Sequence, residues 1–271
     1  MIAGLSLAES PGVVVYRGIP FAAPPVGELR WKPPQPVVPW AGVRDAGVFG
    51  PTCPQTPYPA GCVFPEGTTL DRASEDCLYL NVWTAGTVAT EPRPVLVWIH
   101  GGAMIRGAGS YPLYDGAALA AKGAVVVTIN YRLGAFGLLA HPELTAESEH
   151  RASGNYALLD EVAALRWVQR NIRGFRSDPE RVTVFGQSAG SSIVATLLAS
   201  PLGRGLLHRA IGESGGAFAG MPSLTEAEGS GARWASSFTD GSLGALREKT
   251  AEEILGATPP ADLFFSFNVD G

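Results

Sequence analysis

The chain has 271 residues, a net charge of −5 and 46% hydrophobic residues. That is enough apolar content for the core of one large α/β domain or two small ones. The acidic balance argues against nucleic-acid binding. No run of about 18 apolar residues occurs, so no membrane-spanning helix and no membrane partner are expected. The start, Met1-Ile2-Ala3-Gly4-Leu5, has neither the basic nor the long apolar region of a signal peptide. This favours a cytoplasmic chain, or a secreted one if the true N-terminus lies upstream.

Residues 1–60 are dense in proline and glycine, with a short strand at 13–16 and an irregular extended stretch over 18–27. Pro33, Pro34, Pro36 and Pro39 forbid helix and central strand there. Residues 54–76 form a loop of the kind that serves as a wall or lid. Strand returns over 78–83. From residue 94 strands and helices alternate. The apolar run 94–99 fits a strand buried on both faces. A short helix over 115–122 and a buried strand over 124–130 follow. In the helix 154–171, Leu158, Val162, Leu165 and Val168 share one face with Ile172. Asp178-Pro179 breaks the chain before a strand at 182–185. Residues 189–200 form a helix rich in small and apolar side chains. Residues 206–211 suggest the next strand, with a helix as the alternative. Short helices are expected near 231–238 and 251–256, and 267–271 ends without a closing element.

The three cysteines are Cys53, Cys62 and Cys77, an odd count that is no disulfide framework. A Cys53–Cys77 bridge would contribute about 3–4 kcal/mol in an oxidising compartment; three reduced thiols are the alternative. No Cys/His spacing suggests zinc, and no metal or cofactor is expected.

Two stretches carry chemistry. Gly186-Gln187-Ser188-Ala189-Gly190 lies between the 182–185 strand and the 189–200 helix. This is the G-x-S-x-G pattern of a sharp turn that presents a serine hydroxyl at the mouth of a sheet. Glycines flank the serine because bulkier neighbours would clash in so tight a turn. His100-Gly101-Gly102-Ala103 follows the 94–99 strand and matches a loop whose N–H groups complete an oxyanion hole. Ser188 is therefore the expected nucleophile, and Gly102, Ala103 and Ala189 are the expected N–H donors. The plainer alternative for each stretch is a Gly-rich turn without a chemical role.

These motifs do not stand alone. With Tyr16 to Ala22, Pro24 to Gly27, Arg30-Trp31, Ser74 to Asn81, Asn130 to Gly137 and Gly154 to Asp160, the chain resembles the type-B carboxylesterase/cholinesterase family of α/β-hydrolases, from about residue 13 to 216. The resemblance implies a single α/β-hydrolase domain over 1–271, a mostly parallel sheet with flanking helices. It implies a general bacterial-type serine carboxylesterase acting on a small-molecule ester through an acyl-enzyme. It also implies a Cys53–Cys77 disulfide that leaves Cys62 unmatched, and structural ion pairs Arg30–Glu75 and Arg132–Asp160. Gln187 stands where cholinesterases have glutamate, and the Cys53–Cys77 loop has no tryptophan to hold a quaternary ammonium group. Both departures favour a general esterase. Arg176-Ser177 stands where the family has two glycines, with no functional account. The family places its acid and histidine well beyond the serine. Of the four histidines here, His100 belongs to the oxyanion loop, His141 and His150 lie in loops before the serine, and only His208 follows it, as a structural match. The expectation is therefore the N-terminal portion of a family member, incomplete at the C-terminal end and with little turnover alone. A non-catalytic binding module, and a half-enzyme completed by a partner chain, are the alternatives. The sequence carries no trace of an oligomeric state.

Overall fold

The computed structural model describes residues 1–58, 72–85, 91–216, 220–238, 241–257 and 265–270. The middle of the 54–76 loop, with Cys62, lies outside them. The strands are β1 (Ile2–Ala3), β2 (Leu5–Ser6), β3 (Val13–Pro20), β4 (Arg44–Asp45), β5 (Tyr79–Ala85), β6 (Arg93–Ile99), β7 (Val125–Ile129), β8 (Ser177–Gln187) and β9 (Arg209–Glu213). The helices are α1 (Ala117–Ala121), α2 (Gly134–Leu138), α3 (Pro142–Glu147), α4 (Tyr156–Asn171), α5 (Ala189–Ala199), α6 (Leu224–Ala235), α7 (Leu243–Glu248) and α8 (Ala251–Gly256).

Apolar runs set the centre. Val95, Val97 and Ile99 of β6, and Val125, Val127 and Ile129 of β7, are fully buried. Each such side chain contributes about 1.5–3 kcal/mol when it leaves water. The main sheet runs β2-β3-β5-β7-β6-β8-β9, and β1 pairs with β4 separately. Neighbours from β7 to β9 are parallel, whereas β2, β3 and β5 join antiparallel. The chain leaves β6, returns as β7 on one side, then crosses through α4 to β8 on the other. The order of strands therefore reverses at β6, and in open α/β sheets a crevice forms at the carboxyl ends of strands at such a point.

α4 packs Leu158, Val162, Leu165 and Val168 into the core, on the face its periodicity marks. A second cluster joins Trp31, Phe136, Leu144 and Tyr156 to Trp234, Leu243, Leu246 and Ile254. α4 also buries Glu161 completely, and neither carboxyl oxygen has a partner among the described residues. Burial, helped by the Asp160 charge, pushes this carboxyl well above the usual carboxylate range. The folded chain thus holds a proton there that the unfolded chain releases above about pH 4.3. Stability from this group is complete below that pH and falls as pH rises. Glu161→Gln removes the titration, so its urea-unfolding stability is expected to fall less steeply between pH 4 and 8 than the parent's. Parallel slopes would refute the assignment.

Several boundaries differ from the sequence expectation. β3 runs on through Gly18 to Pro20 instead of stopping at residue 16, with a register shift between Tyr16 and Ile19. Gly18 sits in that bulge at φ 62°, and its N–H donates to Asn81 Oδ1 at 3.0 Å. β8 begins at Ser177, and the expected break at Asp178-Pro179 is an irregularity between two paired segments of it. β9 starts at Arg209, so 206–208 is the turn leading into it. His141 does not lie in a plain loop: its Nδ1 accepts the Glu143 N–H and caps α3. The helix near 231–238 is α6, which starts earlier, at a capping box of Ser223 and Glu226. α2, α3 and α7 were not expected.

Candidate active site

β8 ends at Gln187 and α5 begins at Ala189, so Ser188 occupies the turn by itself. Its backbone is at φ 54° and ψ −121°, a conformation that costs a non-glycine residue about 1–3 kcal/mol. Surrounding bonds hold it there. The Ser188 N–H donates to the Glu213 carbonyl at 2.8 Å, and the Ser188 carbonyl accepts the Ser192 N–H at 3.1 Å. The side chain is half-buried.

The flanking glycines have a steric reason. A Cβ on Gly186 would meet the Gly190 backbone at 2.6 Å. One on Gly190 would overlap the Ile99 carbonyl oxygen and lie 2.9 Å from that of His100. The first turn of α5 therefore rests directly on the end of β6. Alanine in a helix normally gains about 0.5–1 kcal/mol over glycine. At position 190 the sign is expected to reverse, because only backbone can yield: Gly190→Ala should lose about 3 kcal/mol or more in urea unfolding. A stabilised variant would show that this contact is not tight.

Because β6 and β8 are neighbours, with Ile99 opposite Gly186, the loop after β6 emerges beside the serine. A Cβ on Gly101 would stand 3.3 Å from Ser188 Cβ. Gly102, Ala103 and Met104 then follow with φ of 111°, 55° and 59°, a run of positive φ that only a fixed loop sustains. The Gly102 carbonyl accepts the N–H groups of Ile105 and Arg106, both at 3.1 Å, and the Met104 carbonyl accepts that of Gly134 at 2.7 Å. Among the described residues, the N–H groups of Gly102 and Ala103 donate to no protein acceptor. Ala189 opens α5, where helix N–H groups have no partner within the helix.

Motif reading missed Gln55, which holds this loop from outside. Its Oε1 accepts the Gly107 N–H at 2.7 Å, and its Nε2 donates to the Gly107 and Cys53 carbonyls. Cys53 and Cys77 are disulfide-bonded, so the loop is tethered to the crosslinked segment. Tyr131 donates its hydroxyl to the His100 carbonyl at 2.9 Å and stacks on the His100 ring at 4.4 Å. No lone-residue signal marks Gln55; only its spacing of two from Cys53 hints at it.

None of the histidines stands ready to serve Ser188. His100 is fully buried with Nδ1 against the Gly101 carbonyl at 2.8 Å, and burial pushes its pKa down to about 4. His141 caps α3. His150 has its backbone N–H on Ser148 Oγ. His208 accepts the Val182 N–H at Nδ1 and lies 3.5 Å from Glu180. The expected ion pairs form away from the serine. Arg30 Nε donates to Glu75 at 2.7 Å, and the Arg30 guanidinium also donates to the Leu246 and Lys249 carbonyls at the C-terminal end of α7. Arg132 grips Asp160 through Nε at 2.8 Å and Nη2 at 2.7 Å. Among the described residues no group of His, Cys, Asp and Glu could hold a metal ion, and no helix is long and apolar enough to cross a membrane.

Residues 1–269 match the model of the carboxylesterase family. The chain is 48% identical over 242 residues to the fumonisin B1 esterase of Sphingopyxis macrogoltabida, covering 89% of this chain and 43% of that protein. It is 46% identical to the para-nitrobenzyl esterase of Bacillus subtilis (strain 168), covering 91% of this chain and 49% of that one. Among solved structures, the Geobacillus stearothermophilus carboxylesterase EST55 superposes with a TM-score of 0.86 at 40% identity, over 100% of this chain and 54% of its own. The chain thus spans about half the length of the curated relatives it matches.

Proposed function

We propose, for a chain that belongs to the carboxylesterase family and has the α/β-hydrolase fold, that Ser188 is the nucleophile of a carboxylic-ester hydrolase. The Ser188 Oγ attacks the carbonyl carbon of a small ester, and its proton passes to a base. The carbonyl oxygen takes the negative charge and is held by the N–H groups of Gly102, Ala103 and Ala189. The C–O bond then breaks, the alcohol leaves with the proton, and an acyl-serine remains. Water attacks that ester in the same way and releases the acid.

The observation that carries this reading is the placement of a strained serine beside a loop with unoccupied N–H groups. The strain has no packing purpose that a glycine would not serve better, which is what a turn kept for its side chain looks like. The geometry favours hydrolysis over passive binding, since a binding surface needs neither a strained serine nor N–H groups left without a protein acceptor beside it.

None of the four histidines placed above is assigned as the base. The 271-residue chain by itself is therefore expected to turn over little. The test is a chimera in which the chain is followed by the C-terminal part of the Bacillus subtilis para-nitrobenzyl esterase. Hydrolysis of an activated short-chain ester by the chimera, above that of the chain alone and dependent on Ser188, supports the proposal. A folded chimera with no Ser188-dependent turnover refutes it.

A further inference from the structure

Gln55 stands outside both motifs of the site, yet it is 4% exposed and its amide is fully engaged. Oε1 accepts the Gly107 N–H at 2.7 Å and the Tyr111 hydroxyl at 3.2 Å. Nε2 donates to the Gly107 carbonyl at 2.9 Å and to the Cys53 carbonyl at 3.0 Å. The amide therefore closes on both backbone groups of Gly107. Turned over, it would set its oxygen against two carbonyls and its NH2 against an N–H, so one orientation alone satisfies every partner.

Gly107 closes the oxyanion loop from its far end. It stands at φ 117°, and a Cβ there would overlap His100 Nδ1 and lie 2.7 Å from the Gly101 carbonyl oxygen. That oxygen is also 2.8 Å from His100 Nδ1. One residue before Gly107, the Arg106 N–H bonds the Gly102 carbonyl at 3.1 Å. A peptide plane is rigid and trans, so its N–H points opposite to its C=O. Holding the Gly101 carbonyl therefore aims the Gly102 N–H, and holding the Gly102 carbonyl aims the Ala103 N–H. Past Gly107 the chain is fixed to the sheet: the Gly109 N–H donates to Asn130 Oδ1 at 2.8 Å, and its carbonyl accepts from Thr128 Oγ1 at 2.7 Å. Gln55 grips the segment between that anchor and the two donors. Gln55, His100, Gly101 and Gly107 are all buried, so the grip is internal to the fold.

We propose that Gln55 is a positioning residue of the oxyanion hole. By gripping Gly107 it holds the Gly101 and Gly102 carbonyls, and so aims the N–H groups of Gly102 and Ala103 at the oxygen that takes the negative charge. It acts through the loop and not on the ester. The inference rests on the reading of Ser188 as nucleophile.

Gln55→Leu keeps the bulk and removes the grip. In the 271-residue chain, amide hydrogen exchange read by mass spectrometry should rise about tenfold over residues 100–108, with β7 and α4 at the parent's rate. In the chimera, kcat for the activated ester should fall about 10²-fold with KM little changed, because misaimed donors are missed by the transition state and not by the bound ester.

Gln55→Glu separates the hydrogen bonds from the packing. Protonated, the new carboxyl accepts the Gly107 N–H and donates to the Gly107 carbonyl; ionised, it has no donor to give. Burial against two carbonyls raises its pKa above the usual 4.3 or so. The titratable groups facing it are Tyr111, with Tyr114, Tyr58 and Arg106 behind, and His100 across Gly107. Burial raises the Tyr111 and Tyr114 phenols and lowers His100 to about 4, so these three keep their charge between pH 5 and 8. The kcat of Gln55→Glu relative to the parent should be near one at pH 5 and lower by about tenfold or more at pH 8. Far-ultraviolet circular dichroism checks folding, and should Gln55→Leu fail to fold, this ratio decides. The proposal is overturned by Gln55→Leu with the parent's exchange over 100–108, by the parent's kcat in an active chimera, or by a loss in Gln55→Glu that is the same at both pH values. A parent chimera without Ser188-dependent turnover instead overturns the nucleophile reading, and it is told apart because parent and variants then fail alike.

Discussion

Ser188→Ala in the chimera described above is expected to lower kcat for an activated short-chain ester by about 10⁶-fold. The size follows from the role proposed for the residue. Without Oγ no acyl-enzyme forms, and water must attack the ester directly, helped only by the oxyanion donors and by binding. KM should move little, because the side chain is one methyl-sized contact in an otherwise unchanged cleft. The same substitution in the 271-residue chain alone should leave its slow hydrolysis unchanged, because its four histidines are all engaged elsewhere. The two measurements together separate the parts of the machine. A large effect in the chimera with none in the isolated chain locates the nucleophile here and the base elsewhere. Robust Ser188-dependent turnover by the isolated chain would show that one of its own residues acts as base.

The largest effect on stability is expected at Asp160. It is fully buried, and its carboxylate accepts hydrogen bonds from the Arg132 backbone N–H at 3.0 Å and from Nε and Nη2 of the same residue. Arg132 is itself 3% exposed and reaches the Lys32 carbonyl through Nη1 at 2.8 Å. Removing one partner of such a pair leaves a buried, unanswered charge. Asp160→Ala should therefore cost about 3–5 kcal/mol in urea unfolding. The double variant Arg132→Met with Asp160→Leu removes both charges and should recover part of that loss, since the pair's mutual attraction is largely offset by what it costs to take two ions out of water. A loss below about 1 kcal/mol for Asp160→Ala would mean that Arg132 finds water or another carboxylate.

Arg132 also shows how structural charges support the site without touching it. The segment Tyr131–Gly134 stands on this ion pair. From it the Tyr131 hydroxyl holds the His100 carbonyl and the Gly134 N–H holds Met104. The loop that carries Gly102 and Ala103 is thus braced from one side by Arg132–Asp160 and from the other by Gln55 at the disulfide.

Much of this was legible in the residues. β6 and β7 announced themselves as unbroken apolar runs, because a strand covered on both faces has no polar side to alternate with. α4 was marked by its period, and the turn at Ser188 by glycines with no room for a side chain. Other features were misread for identifiable reasons. Gly18 and Pro179 look like breakers in isolation, yet each sits in a bulge that a neighbouring strand stabilises. The short helix expected over 251–256 is α8. The box that starts α6, Ser223 with Glu226, has the S/T-x-x-E spacing, but the segment after it is poor in apolar periodicity, so only the helix near 231–238 is legible.

The sequence by itself determined the local chemistry: which residue turns, which glycines lack space for a Cβ, which segments prefer strand or helix. Those properties depend on a residue and its near neighbours, so a linear reading reaches them. Only the tertiary structure decided that the loop after β6 lies against the turn after β8, and that Gln55 reaches across to Gly107. Strand order sets those relations, and strand order is chosen by which faces and edges the whole chain manages to cover at once, a sum over distant contacts that no single stretch contains.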